Sequence, residues 1–230
     1  MFLYKLSGII SVVLLGIMVI LILIQFKKFS KRYLSLGVYL VAVFTYEFTM
    51  LITSIYQLNN HIGANLHSLL YLPLISWVLA DVYKRIYAVK IPTTKFILIV
   101  FVVVVAVWLA ENFLLSNVFV FNSLLPVISA VLVSLVGVYL LNILLFMNRK
   151  SHEKQADVLI IAGVMVRSVS FGFMLWLLNF NKGYEKEFYT MLVSVINMGL
   201  CVSDVFFLLS ILRISGMNAV VKRKTDPLTP

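Results

Sequence analysis

The sequence predicts an all-α, polytopic membrane protein of seven transmembrane helices, and three observations carry that reading. The chain is 62% hydrophobic and 12% charged over 230 residues, with a mean hydropathy of +1.05, whereas soluble domains sit near half apolar and a quarter charged. Its apolar residues come in runs of about 20, long enough at about 1.5 Å per residue to cross a hydrocarbon core about 30 Å thick. Its basic residues lie in short clusters between those runs, which is how membrane orientation is encoded. That clustering also argues against reading the net charge of +10 as a nucleic-acid footprint.

The spans follow in order. Residues 7–26 are too long for a secretory h-region, lack an Ala-x-Ala-like cleavage site and run into the stop-transfer cluster "KKFSKR", so they form a retained first helix. Residues 34–57 carry Glu47 in "FTYEFTM", and residues 68–89 contain Pro73 and end in "DVYKRIY". Residues 96–115 are almost unbroken hydrocarbon, with Glu111 about one turn from the outer end, where it is expected to reach the interface. Residues 123–147 begin close to Pro126, in the first turn where a missing amide costs least; Pro73 fits either a first turn or a kink. Residues 158–179 hold Arg167 in "GVMVRSVSFG", and residues 188–213 hold Ser194, Asn197, Cys201 and Asp204. Residues 1–215 therefore form the membrane domain, and 216–230 a short basic cytoplasmic tail.

Fifteen Lys and Arg residues collect on one side of this arrangement, among them Lys27, Arg32, Lys84, Arg85, Lys154 and Arg213, against Lys5, Lys182 and Lys186 on the other. The positive-inside rule then puts the N-terminus outside and the C-terminus in the cytoplasm. A single cysteine, Cys201, makes no intramolecular disulfide framework.

Of the ionisable residues inside the spans, Asp81, Arg167 and Asp204 lie at similar depths. Each is about 12–14 Å from the cytoplasmic end of its span at the helical rise. The expectation is an acid–base–acid cluster on the third, sixth and seventh spans, centred on Arg167, whose planar fork can hold two carboxylates. Asp81 also has Lys84 and Arg85 on its own helix and either joins that cluster or pairs locally. Asp204 and Arg167 have no opposite charge within a turn and must look to another helix. Glu47, about 20 Å along the second span, stands alone in this reading: it is either a proton or ligand site or a neutral acid making a structural hydrogen bond. Ser194, Asn197, Cys201 and Asp204 recur at intervals of three and four and share one stripe, so Asn197 and Ser194 join Glu47 as candidates for a ligand or proton site. Such a stripe is either packing contacts or the wall of a wetted cavity.

No catalytic constellation or metal site stands out. His61, His67 and His152 are too scattered to ligate together, and His61 and His67, with Asn59, Asn60 and Asn65, read as a solvated outer loop and helix start. The seventh span has no lysine, which excludes a retinal Schiff base there, and no other cofactor is expected.

Seven helices with an outer N-terminus share the plan of G-protein-coupled receptors. However, "DVYKRIYAVKIP" spaces Asp81 and Arg85 four apart, paired cysteines are absent and the seventh span lacks Asn-Pro-x-x-Tyr. The chain resembles small seven-helix integral membrane proteins of bacteria, notably Bacteroidetes, in Glu47, the Asn59–Asn60 loop, His67, Phe121-Asn122-Ser123 and Asn197. It departs from them at Pro73, where that group has a glutamate. The resemblance implies a bacterial cytoplasmic membrane and no particular activity. The charge cluster and basic loops favour a receptor-like sensor or signalling component, in the lipid bilayer and working through a cytoplasmic or membrane protein partner. The alternatives are a small proton- or ion-coupled transporter or channel, and a non-catalytic subunit of a membrane complex. A membrane enzyme ranks last.

Overall fold

The computed structural model describes residues 2–29, 32–56, 61–89, 92–111, 113, 124–147, 152–179 and 186–225. Within them, side chains are not described for residues 2–5, 28, 61–65, 124, 152, 175–187, 189–190 and 216–225. The elements are α1 (Phe2–Ile24), α2 (Phe26–Phe29), α3 (Leu34–Ile55), α4 (His61–Tyr87), α5 (Thr93–Ala110), α6 (Leu124–Phe146), α7 (His152–Asn179) and α8 (Lys186–Thr225). All but the single turn α2 are long and apolar enough to cross a membrane, and each expected span falls on one of these seven.

Four helices overrun the expected spans by more than a turn. α1 starts at Phe2 rather than residue 7, α4 at His61 rather than 68, α7 at His152 rather than 158, and the backbone of α8 continues past residue 213 to Thr225, into the expected tail. Apolar windows find the part of a helix that lipid demands, not the helix itself. The first residues of α7, "HEKQAD", are polar but good helix formers, and Glu153 in the first turn complements the helix dipole. The earlier start of α4 places Pro73 three turns inside the helix rather than in its first turn, whereas Pro126 occupies the first turn of α6 as expected.

The helices close into a ring. α1 packs on α3 and α8, α3 on α4, α4 on α5 and α6, α6 on α7, and α7 on α8. α1 and α8 run parallel, because Ser11 meets Asp204 and Gln25 meets Ser215 on them. α4 and α7 form the centre, each with 50% of its crossing segment buried, while α5 is an outrigger with 6% buried. α5 leans on α4 and touches α6 only lightly, which leaves an apolar groove of about 680 Å³ between the three. The sorting of side chains is by fit rather than polarity. On α1, Leu15, Met18 and Ile22 are buried, while the equally apolar Val13, Ile17 and Ile20 face outward, as expected where the surrounding medium is lipid.

The α7–α8 contact is the most extensive, and small residues allow it. A Cβ on Gly163 would lie 2.9 Å from the ring of Phe207, and Ser203 on α8 donates to the Gly163 carbonyl at 2.8 Å. Phe207 is fully buried and packs edge-on against Tyr39 at 5.8 Å, so it has no room to retreat. Gly163→Ala is therefore expected to cost about 1–3 kcal/mol through overpacking, read as thermal unfolding of the purified protein in detergent. At Gly199 the obstacle is the Ser170 hydroxyl, which can rotate away. Gly199→Ala is expected to stay within about 0.5 kcal/mol of the parent.

Candidate functional site

Arg167 lies fifteen residues into α7, about 22 Å along its axis, and is 3% exposed. Both arms of its fork are engaged. Nη1 donates to Oδ1 of Asp204 on α8 at 2.6 Å, and Nη2 donates to Oε1 of Glu47 on α3 at 2.6 Å. The other oxygen of Asp204 accepts from the Ser11 hydroxyl on α1 at 2.5 Å. One guanidinium thus holds two carboxylates, and four helices meet at one depth. Arginine suits this position because its donors are coplanar and diverge to two acceptors, and each bond is charge-assisted.

The triad corrects two expectations. Asp81 does not join Arg167: it pairs with Lys84 on its own helix at 3.8 Å. Glu47 is not isolated: it takes the place expected for Asp81. Helix length is the reason. The six extra residues at the start of α7 carry Arg167 about 9 Å deeper than the apolar window implied. That brings it level with Glu47, thirteen residues into α3, and leaves Asp81 a layer away, six residues from the end of α4.

Aromatic rings wall the triad on the α4 side. His67 stacks on Tyr46 with ring centroids 3.7 Å apart and planes 9° from parallel, and it meets Phe171 edge-on at 5.1 Å. Tyr71 shares a hydrogen bond with Ser168 at 3.1 Å. The outer-surface placement expected for His67 is therefore wrong: because α4 starts at His61, His67 is in its second turn, between α3 and α7. Asn59, Asn60 and the side chains of His61 and Asn65 lie outside the described residues, as does Phe121-Asn122-Ser123.

On α8 the stripe continues from Asp204 away from the basic end. Cys201 donates to the Ser7 carbonyl on α1 at 3.4 Å. Asn197 is 9% exposed. Asn197 and Ser194 lie about 10 and 15 Å along the axis from Asp204, so they extend the triad and do not complete it. Glu111, expected to reach the interface, is buried against the protein at the end of α5.

A second ionic layer closes the basic end. Arg85 on α4 donates from Nε and Nη2 to Oδ1 of Asp157 on α7 at 3.0 and 2.7 Å, and from Nη1 to the Arg32 carbonyl at 2.8 Å. Its guanidinium also sits 4.4 Å over the Tyr33 ring, and Arg32 pairs with Glu153 on α7. Burial, and then the Asp157 charge, push the Tyr33 phenol above its ordinary range. Sequence reading missed Asp157 because it lay just outside the expected span. The signal available was the i, i+4 spacing of Glu153 and Asp157 in a polar but helix-prone segment.

Among the described residues, no group of three His, Cys, Asp or Glu side chains is arranged to hold a metal ion. The groove between α4, α5 and α6 is not lined by Glu47, Arg167 or Asp204. Seven helices of this length and apolarity make the chain a multi-pass integral membrane protein set in a lipid bilayer. No protein-family model, no curated protein and no solved structure matches it.

Proposed function

We propose that the protein is a membrane sensor in which the Glu47–Arg167–Asp204 triad is a two-state latch, coupled to a basic end that engages a protein partner. The supporting observation is that one helix carries both ionic layers. Arg167 grips α3 and α8, and Asp157, ten residues earlier on α7, grips α4. The two layers are about 15 Å apart along one rigid helix, so a displacement of α7 at the triad reaches the basic end. A buried ionic latch suits a switch because its broken state leaves unpaired charge, which keeps intermediate positions unpopulated. In this reading the basic end faces the cytoplasm of a bacterium by the positive-inside rule and the resemblance noted above, and the protein binds and signals rather than catalyses, without a cofactor.

The test is a distance measurement in lipid nanodiscs. Spin labels are placed at Leu34→Cys on α3 and Gln155→Cys on α7, in a Cys201→Ser background. Glu47→Gln removes the charge that ties α3 to Arg167 while keeping the side-chain shape, so the α3–α7 distance distribution should shift from that of the parent. Superimposable distributions would sink the latch.

A second reading, a proton-coupled transporter, draws on the two carboxylates facing one guanidinium. It requires a proton flux into liposomes carrying the protein that is lost in Glu47→Gln.

A further inference from the structure

The triad is unbalanced, and the imbalance is not shared equally. Two carboxylates face one guanidinium inside a bundle with no other cation at that depth among the described residues: Lys84 and Arg85 belong to the layer nearer the basic end. With both acids ionised, the centre would hold a net negative charge in a medium where a single charge costs at least about 2.5 kcal/mol on insertion scales. Asp204 has both oxygens engaged, by Arg167 and Ser11, and is fully buried. Glu47 offers only Oε1 to Arg167, and its side chain is 17% exposed. Its second oxygen makes no hydrogen bond to a described residue. The uncommitted valence of the triad is therefore one oxygen of Glu47.

We infer that Glu47 is a proton-binding site, and that the arrival of the proton is the input that loosens the latch, a step that rests on the sensor reading above. The ligand is a proton rather than a metal cation because a hard cation needs several oxygen ligands and only one is uncommitted here. The groups facing Glu47 do not supply a rival site. Arg167 on α7 stays charged, and Asp204 on α8 is fully bonded. His67 on α4 is stacked on Tyr46 and edge-on to Phe171, where a second cation would add to the charge of Arg167, and Tyr71 shares its hydroxyl with Ser168. Tyr39 and Tyr46 on α3 pack against Phe207 and His67, and Cys201 on α8 points to the Ser7 carbonyl.

The direction of the response follows from the bond that changes. Ionised Glu47 accepts a charge-assisted hydrogen bond from Arg167. With the proton on Oε2, the same contact is a neutral acid against a guanidinium already paired with Asp204: the cation still donates the hydrogen bond, but the attraction between opposite charges is gone, so the tie is weaker. Acid therefore releases α3 from α7, and alkali ties it. The stripe of Asp204, Cys201, Asn197 and Ser194, met from α1 by the Ser11 hydroxyl and the Ser7 carbonyl, leads from the triad away from the basic end and is the path this proposal gives the proton.

Two readouts on the full chain in nanodiscs test this. In infrared difference spectra taken across a pH titration, a protonated-carboxyl band should appear in the parent, vanish in Glu47→Gln and persist in Asp204→Asn. With the same spin-label pair, acidified parent should adopt the distance distribution of Glu47→Gln, and Glu47→Gln should no longer respond to pH. If the band survives Glu47→Gln, or the pH response does, another group takes the proton and the inference is overturned. If Glu47→Gln shifts the distance but pH leaves the parent unmoved, the latch stands and the proton is not its input. If the band titrates as expected with no change in distance, Glu47 binds the proton and the latch reading fails. Asn197→Leu should slow the carboxyl response after a pH jump by at least about tenfold if the stripe is the route, and an unchanged rate would exclude it.

Discussion

Arg167→Ala is expected to give little folded protein. The substitution leaves two carboxylates, Glu47 and Asp204, facing each other where a guanidinium stood, and Asp204 is fully buried. Removing one partner of a buried pair costs about 3–5 kcal/mol, because the remaining charge is desolvated without compensation. In lipid the lower end of that range is the better guide, since a helix unfolded within the membrane also finds polar partners. Arg167→Met combined with Glu47→Gln and Asp204→Asn removes all three charges at once and should recover most of the loss, measured as monodisperse yield and thermal midpoint. The exchange Arg167→Asp with Asp204→Arg should recover only part, since Glu47 then faces a carboxylate on α7. If the neutral triple variant is as unstable as Arg167→Ala, the cause is lost packing around the arginine stem rather than stranded charge.

The second large effect is at the basic end, and it should be asymmetric. Arg85→Ala strands Asp157, whose side chain is 5% exposed, and also deprives the Arg32 carbonyl and the Tyr33 ring of their partner. About 2–3 kcal/mol of destabilisation is expected. Asp157→Ala leaves an arginine whose side chain is already 17% exposed; it keeps the Arg32 carbonyl and can swing its head into water along its apolar stem, so about 1 kcal/mol is expected. The double variant should cost less than the sum of the two, with a coupling between about 0.5 and 3 kcal/mol. Thermal unfolding with hydrogen exchange across the ends of α4 and α7 measures all three. Additive effects would mean that the pair contributes nothing as a pair.

The number and positions of the membrane-crossing helices were legible in the sequence because lipid imposes a length and a composition that few other environments impose. The partners of Arg167 were half legible. Asp204 could be assigned because neither residue has a countercharge within a turn on its own helix. Glu47 could not, because its depth relative to Arg167 depends on where α7 begins, and the polar turn from His152 to Asp157 is invisible to an apolar window. Asp81 was misplaced by the same error, and Lys84, one turn along its helix, was the better clue. His67 shows a different limit. A histidine beside Asn65 and His61 reads as solvated, and only the stacking of Tyr46 across from α3 reveals a ring in the interior.

The parallel closure of α1 against α8 has a consequence for how the protein is made. A ribosome delivers α1, α3 and α7 to the bilayer before α8, so Ser11 must wait through most of translation for the carboxylate it serves. Until then Arg167 has Glu47 as its counterion. Until α8 inserts, the bundle is electrically tolerable but open along the side of α1 and α7 that α8 covers, and its arrival seals that side.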